Sequence, residues 1–89
     1  MGDVLLVYEI RPESPETNSD ELIKRIREGL NPKFKMKEQV DKKPLFFGLV
    51  GLVAQFIIPE EDGAQDELEE YLHNVEGVSS IQMTFVTRL

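Results

Sequence analysis

The sequence has no cysteine and no tryptophan, and only one histidine in 89 residues. Without thiols there are no disulfides, thiolate nucleophiles or thiolate metal sites, and the chain suits a reducing compartment, so the cytoplasm is the expected location. The lone imidazole, His73, falls on a helix wheel beside Glu69, Glu70 and Glu76, a pattern expected on a solvated face. Ser14, Ser19, Ser79 and Ser80 then lack a second base, so no Ser-His machinery is expected and the chain does not read as an enzyme. Long apolar runs are missing as well. Val4–Tyr8 and Leu49–Ala54 are the longest, far short of the ~20 residues that cross a bilayer. No basic stretch precedes an apolar one, and Leu6 stands where a myristoylation signal needs Ser or Thr, so neither export nor a membrane anchor is expected. Positive charge is scarce: ten Lys and Arg face seventeen Asp and Glu, a net −7. That sign opposes direct nucleic-acid binding and favours a basic partner. Gly48 and Gly51 are only a fragment of a phosphate-binding loop, and Glu60-Glu61-Asp62 with Asp66 lacks the ligand spacing of a calcium loop. No cofactor and no metal are expected.

What remains has the composition of a small globule, 40% hydrophobic and 30% charged, and is expected to form one domain over residues 1–89. Val4–Ile10 is apolar on both parities, as an interior strand requires. Pro12, Pro15 and the polar run from Ser14 lead into a helix over about 19–30, with Asn18 or Ser19 as its cap and Asp20 and Glu21 in its positive first turn. Leu22, Ile23, Ile26 and Leu30 form its apolar stripe, and Gly29 with Asn31-Pro32 ends it. From Lys33 to Val40 the period changes to two: Phe34, Met36 and Val40 share one face, Lys33, Lys35 and Lys37 the other. Such a lysine face either protects an edge strand or meets an acidic surface. Asp41–Pro44 reads as a turn and Leu45–Ile58 as a central strand, with a bulge or close backbone approach at Gly48 and Gly51. A second helix built on Leu68, Leu72 and Val75 ends at Gly77. Ile81, Met83 and Phe85 alternate with polar and smaller residues to the end, giving the last strand.

The order is therefore β-α-β-β-α-β: an α+β, ferredoxin-like two-layer sandwich with a four-stranded antiparallel sheet, order 4-1-3-2, and both helices on one face. The two strands that are apolar on both parities take the middle positions, and the alternating pair the edges. Surplus apolar residues on the middle strands lead us to expect partial cover of the open face by a partner or a second copy. An RNA-recognition surface is excluded, because Gly48–Val53 lacks the interleaved aromatics and the first strand offers only Tyr8. The remaining feature is Lys42-Lys43-Pro44-Leu45-Phe46-Phe47-Gly48-Leu49. Two adjacent phenylalanines do not both enter one core, so either at least one stands exposed as an interface anchor or both are partly buried in the loop.

Three segments, Val4–Pro12, Pro44–Leu52 and Val75–Ile81, in this order and spacing, resemble the archaeal elongation factor 1-beta family of guanine-nucleotide exchange factors over essentially the whole chain. The resemblance implies exchange of GDP for GTP on the elongation factor 1-alpha GTPase, with Phe46, Phe47, Gly48, Arg88 and Leu89 meeting that partner. In eukaryotic relatives the central motif reads Pro-Ile-Gly-Phe-Gly-Ile, and its phenylalanine, wedged into the GTPase, falls on Phe47; Phe46 replaces a glycine. Their penultimate lysine, placed near the magnesium, is Arg88 here. Ring and cation are thus expected to open one nucleotide pocket together. The alternative is a ferredoxin-like regulatory or oligomerising module that binds a small metabolite or itself on the open sheet.

Overall fold

The interior strand expected from Val4–Ile10 is β1 (Asp3–Pro12), and it lies between β4 (Val50–Pro59) and β5 (Val78–Arg88), antiparallel to both. The computed structural model describes residues 2–89. Two short strands, β2 (Lys35–Met36) and β3 (Asp41–Pro44), pair in succession along the far edge of β4, so the sheet runs β2-β4-β1-β5 with β3 also against β4. Helices α1 (Ser19–Gly29) and α2 (Ala64–Asn74) complete the ferredoxin-like order.

Even-numbered side chains of the two middle strands build the core. Leu6, Tyr8 and Ile10 from β1 and Leu52, Ala54, Phe56 and Ile58 from β4 join Leu22 and Ile26 of α1 and Ala64, Leu68 and Leu72 of α2 in one buried cluster. Burying each large aliphatic or aromatic member stabilises the fold by about 1.5–3 kcal/mol. Asn18 is the cap of α1, its Oδ1 accepting from the Glu21 amide at 3.0 Å. Tyr8 turns its hydroxyl out of this core to donate to Glu69 Oε2 at 2.8 Å, and burial followed by that carboxylate pushes the phenol well above its usual range. Glu69 is therefore half-buried on a working face of α2, unlike exposed His73. Gly29 does more than end α1: a Cβ there would stand 2.6 Å from the Tyr71 hydroxyl, which donates to the Ile26 carbonyl at 2.7 Å.

Several expectations need correction, the first being the strand count, since the sheet has five strands where four were expected. The strand expected at Lys33–Val40 shrinks to Lys35–Met36; the Lys37 amide still reaches the Gln55 carbonyl at 2.9 Å, while Arg27 of α1 donates to the carbonyls of Met36, Lys37 and Glu38, which the sheet leaves to it. Phe34 is buried and Met36 and Val40 pack on the core as expected, but Lys33 leaves the lysine face to pair with Glu67 of α2 at 3.1 Å. The turn expected at Asp41–Pro44 is strand β3, paired with Val50–Val53. The strand expected from Leu45 begins only at Val50, and Leu45–Leu49 is the hairpin loop. Finally, Phe85 does not share a face with Ile81 and Met83. A bulge lets Tyr8 pair with Met83 but Val7 with Phe85, which moves Phe85 to the open face of the sheet.

Candidate partner-binding site

The β3–β4 hairpin ends in a tight loop whose geometry follows from Pro44, Gly48 and Gly51. Pro44 closes β3 opposite Val50, at the end of an edge strand where its missing donor costs no ladder bond. Leu45 then donates its N–H to the Leu49 carbonyl at 2.8 Å, and Leu49 donates to the Phe46 carbonyl at 3.2 Å. Between them Phe46–Gly48 forms the tight turn of the loop. Leu45 folds back over Gly51, where an added Cβ would sit 3.0 Å from its Cδ1; this is the close approach expected of that glycine. Gly48 has φ 77°, the left-handed region, and so does Phe47, at φ 59° and ψ 32°. An L-residue there costs roughly 1–2 kcal/mol, and Phe47 is the only non-glycine with positive φ among the described residues.

Both rings of the loop stand in solvent. Phe46 is 84% exposed and Phe47 93%, the most exposed large apolar side chains of the described residues. Of the two arrangements left open by the sequence, the one with both rings partly buried is thus excluded. Beneath the loop the open sheet face forms a groove of about 820 Å³, bounded by the loop, by Glu9 and Arg11 of β1, by Lys43 of β3 and by Gln82 and Thr84 of β5. Glu9 lies at its floor, 7% exposed. Its carboxylate accepts from Lys43 Nζ at 3.2 Å and from Arg11 Nε at 3.1 Å, and these two bonds, Lys43 first, hold it below the usual carboxylate range. Sequence reading missed Glu9 and Arg11. Their signal was present: one carboxylate inside an apolar strand, with a cation two residues on and hence on the same face.

Arg88 and Leu89 lie at the opposite end. Arg88 pairs with Val4 in the ladder, its Nε forms an ion pair with Glu60 Oε2 at 2.9 Å, and its side chain is 81% exposed. Leu89 donates its amide to the Asp3 carbonyl at 2.9 Å, which ties the chain end to β1. Val4 lies beside Ile58, eight residues along β4 from Val50, so loop and terminus stand roughly 26 Å apart at ~3.3 Å per residue. The structure joins Phe46, Phe47 and Gly48 at one end and Arg88 and Leu89 at the other. It does not bring ring and cation to one pocket. Among the described residues no three His, Cys, Asp or Glu side chains lie close enough to hold a metal, and no helix is long and apolar enough to cross a membrane.

Fold and surface define a small α+β sandwich that presents two phenyl rings on a strained hairpin. A family model described as the EF-1 guanine nucleotide exchange domain matches residues 5–89. The protein called elongation factor 1-beta in Methanothermobacter thermautotrophicus is 37% identical over all of this chain and 99% of its own length. Its counterpart in Hyperthermus butylicus is 42% identical, covering 100% of this chain and 97% of that protein. The chain belongs to the EF-1 guanine nucleotide exchange domain family. Among solved structures, the C-terminal domain of MgtC from Mycobacterium tuberculosis matches with a TM-score of 0.56 over 99% of this chain and 88% of that one; at 13% identity the likeness concerns the fold alone.

Proposed function

We propose that this chain, as a single exchange module, promotes GDP release and GTP reloading on elongation factor 1-alpha in the cytoplasm, with no bond chemistry and no cofactor of its own. The observation that carries the reading is Phe47, 93% exposed on a backbone held in a conformation that costs free energy. Solvent gains nothing from that arrangement, whereas a partner pocket recovers the apolar area. Gly48 shapes the turn, Phe46 widens the apolar contact, and Phe47 is the wedge. Arg88, with Leu89 beside it, brings a cation to the metal–phosphate region of the GTPase after exchanging its pairing with Glu60. Because the two ends are far apart, the partner is gripped at two places, one mechanical and one electrostatic.

The thermodynamics is linkage. A factor that binds the nucleotide-free GTPase better than the GDP-bound one weakens GDP by the same ratio that GDP weakens the factor. The test follows release of a fluorescent GDP analogue from elongation factor 1-alpha. Wild type accelerates release and Phe47→Ala does so far less; no acceleration by wild type ends the exchange reading. The second reading, a self-associating module, draws on β5: Met83, Phe85 and Val86 are exposed along an edge strand with no charge from Val78 to Thr87. A stable dimer in sedimentation, together with inert behaviour toward GDP release, would favour it.

A further inference from the structure

The groove under the hairpin loop has the opposite charge sign to the chain. Its walls carry two cations, Arg11 and Lys43, and one acid, Glu9, on a protein of net charge −7. Glu9 is already answered on both oxygens, so it does not oppose an arriving anion. Arg11 spends only its Nε on Glu9: among the described residues nothing accepts from Nη1 or Nη2, and the side chain is 49% exposed. The free Nη1/Nη2 edge of a guanidinium fixed through Nε has the spacing of a carboxylate. Lys43, 57% exposed, makes one bond through an ammonium that has three donors. Pro44, Leu45 and Leu49 supply an apolar wall beside these cations, and the Phe47 ring forms part of the rim.

We infer that this groove seats an acidic, otherwise apolar segment of the GTPase, an Asp or Glu side chain docking on Arg11 and Lys43 while its apolar neighbours cover the loop wall. The inference rests on the exchange reading and specifies the chemistry of the partner at the Phe47 end. Charge complementarity selects this occupant, since a basic segment would face two cations and only one carboxylate, itself neutralised. Glu9 is a positioning residue: it holds the guanidinium by one edge and thereby presents the other.

The experiment measures fluorescent GDP release from elongation factor 1-alpha as a function of factor concentration, at low and at high salt. Expected for Arg11→Gln is a rise of about tenfold in the half-saturating concentration at low salt, with the release rate at saturation unchanged and the difference shrinking at high salt. Lys43→Gln shifts it in the same direction by less, and Arg11→Lys recovers part of the loss. Backbone amide spectra of each variant check that the loop is intact, and a merely structural role for Arg11 would leave the salt dependence unaltered. Wild-type salt dependence in Arg11→Gln, with affinity intact in both neutral variants, overturns the groove assignment while leaving the exchange reading standing. Tighter binding by Arg11→Glu overturns it too, by showing that a cation is seated there. A wild type without effect on release overturns both.

Discussion

The two ends of the sheet are built on different principles. At the loop end, Phe47 is held in a left-handed backbone by a hairpin whose loop is closed by two backbone hydrogen bonds and folded over Gly51. At the terminal end, Arg88 sits on an ordinary ladder, and its side chain has one solvent-exposed partner, Glu60. A preformed apolar wedge loses little entropy on docking, whereas a long cationic side chain on a free edge retains its freedom and acts mainly through its field. Release should therefore concentrate at the Phe47 wedge, with salt-sensitive contributions from Arg88 at the terminus and from Arg11 and Lys43 in the groove below the loop.

The largest expected effect is at the loop. Phe47→Ala should lower the acceleration of GDP release by about 100-fold, as for a central aromatic hot spot, and shift stability by less than about 0.5 kcal/mol because the ring is exposed. Arg88→Ala should cost about tenfold, and less at high salt. The double variant tests the separation directly. Sites roughly 26 Å apart with no common contacts should give additive free energies, so the fold losses multiply; a double variant no worse than Phe47→Ala would mean that ring and cation work on one pocket after all.

A smaller effect separates strain from contact. Asn tolerates the left-handed region, so Phe47→Asn should raise folding stability by about 1 kcal/mol in denaturant titration while losing exchange as fully as Phe47→Ala. Unchanged or lower stability would show that the φ of Phe47 carries no stored cost.

The same contrast explains what was legible in the sequence. β1 and α1 could be read within a residue or two, since a doubly apolar run and a capped 3.6-residue stripe each have one solution. Lys33–Val40 could not, because Phe34, Met36 and Val40 meet the core whether or not the backbone stays in the ladder, and the alternation does not reveal that Arg27 of α1 takes up the carbonyls of Met36, Lys37 and Glu38. Phe85 was assigned to the wrong face because the bulge between the Val7 and Tyr8 pairs depends on register, which a single strand does not encode. Phe47 was found through its proline and glycine neighbours and the family resemblance. Glu9 was passed over because an acid inside a strand does not itself name its partners, and one of them, Lys43, lies on a segment read as a turn.

The smallest effect concerns those partners. Glu9 at the loop end has a side chain 9% exposed, against 38% for Glu60 at the terminal end, so the two carboxylates should answer differently to substitution and acid. Glu60→Gln breaks an exposed pair and should cost under about 1 kcal/mol. Glu9 has its folded-state pKa lowered by Lys43 and Arg11, so the folded state holds its proton less tightly than the unfolded chain, whose value is about 4.3. Its contribution to stability is therefore fully present above that unfolded value and disappears as pH falls through the folded one. Wild type should melt at higher temperature than Glu9→Gln at neutral pH, and the gap should narrow steadily below about pH 4.3 as the native carboxylate takes up its proton. Thermal midpoints of both proteins between neutral and strongly acidic pH measure this gap, which other carboxylates affect equally in the two chains. A gap of constant width across that range would show that Lys43 and Arg11 do not favour the charged form of Glu9, and the fixed orientation of the Arg11 guanidinium would lose its support.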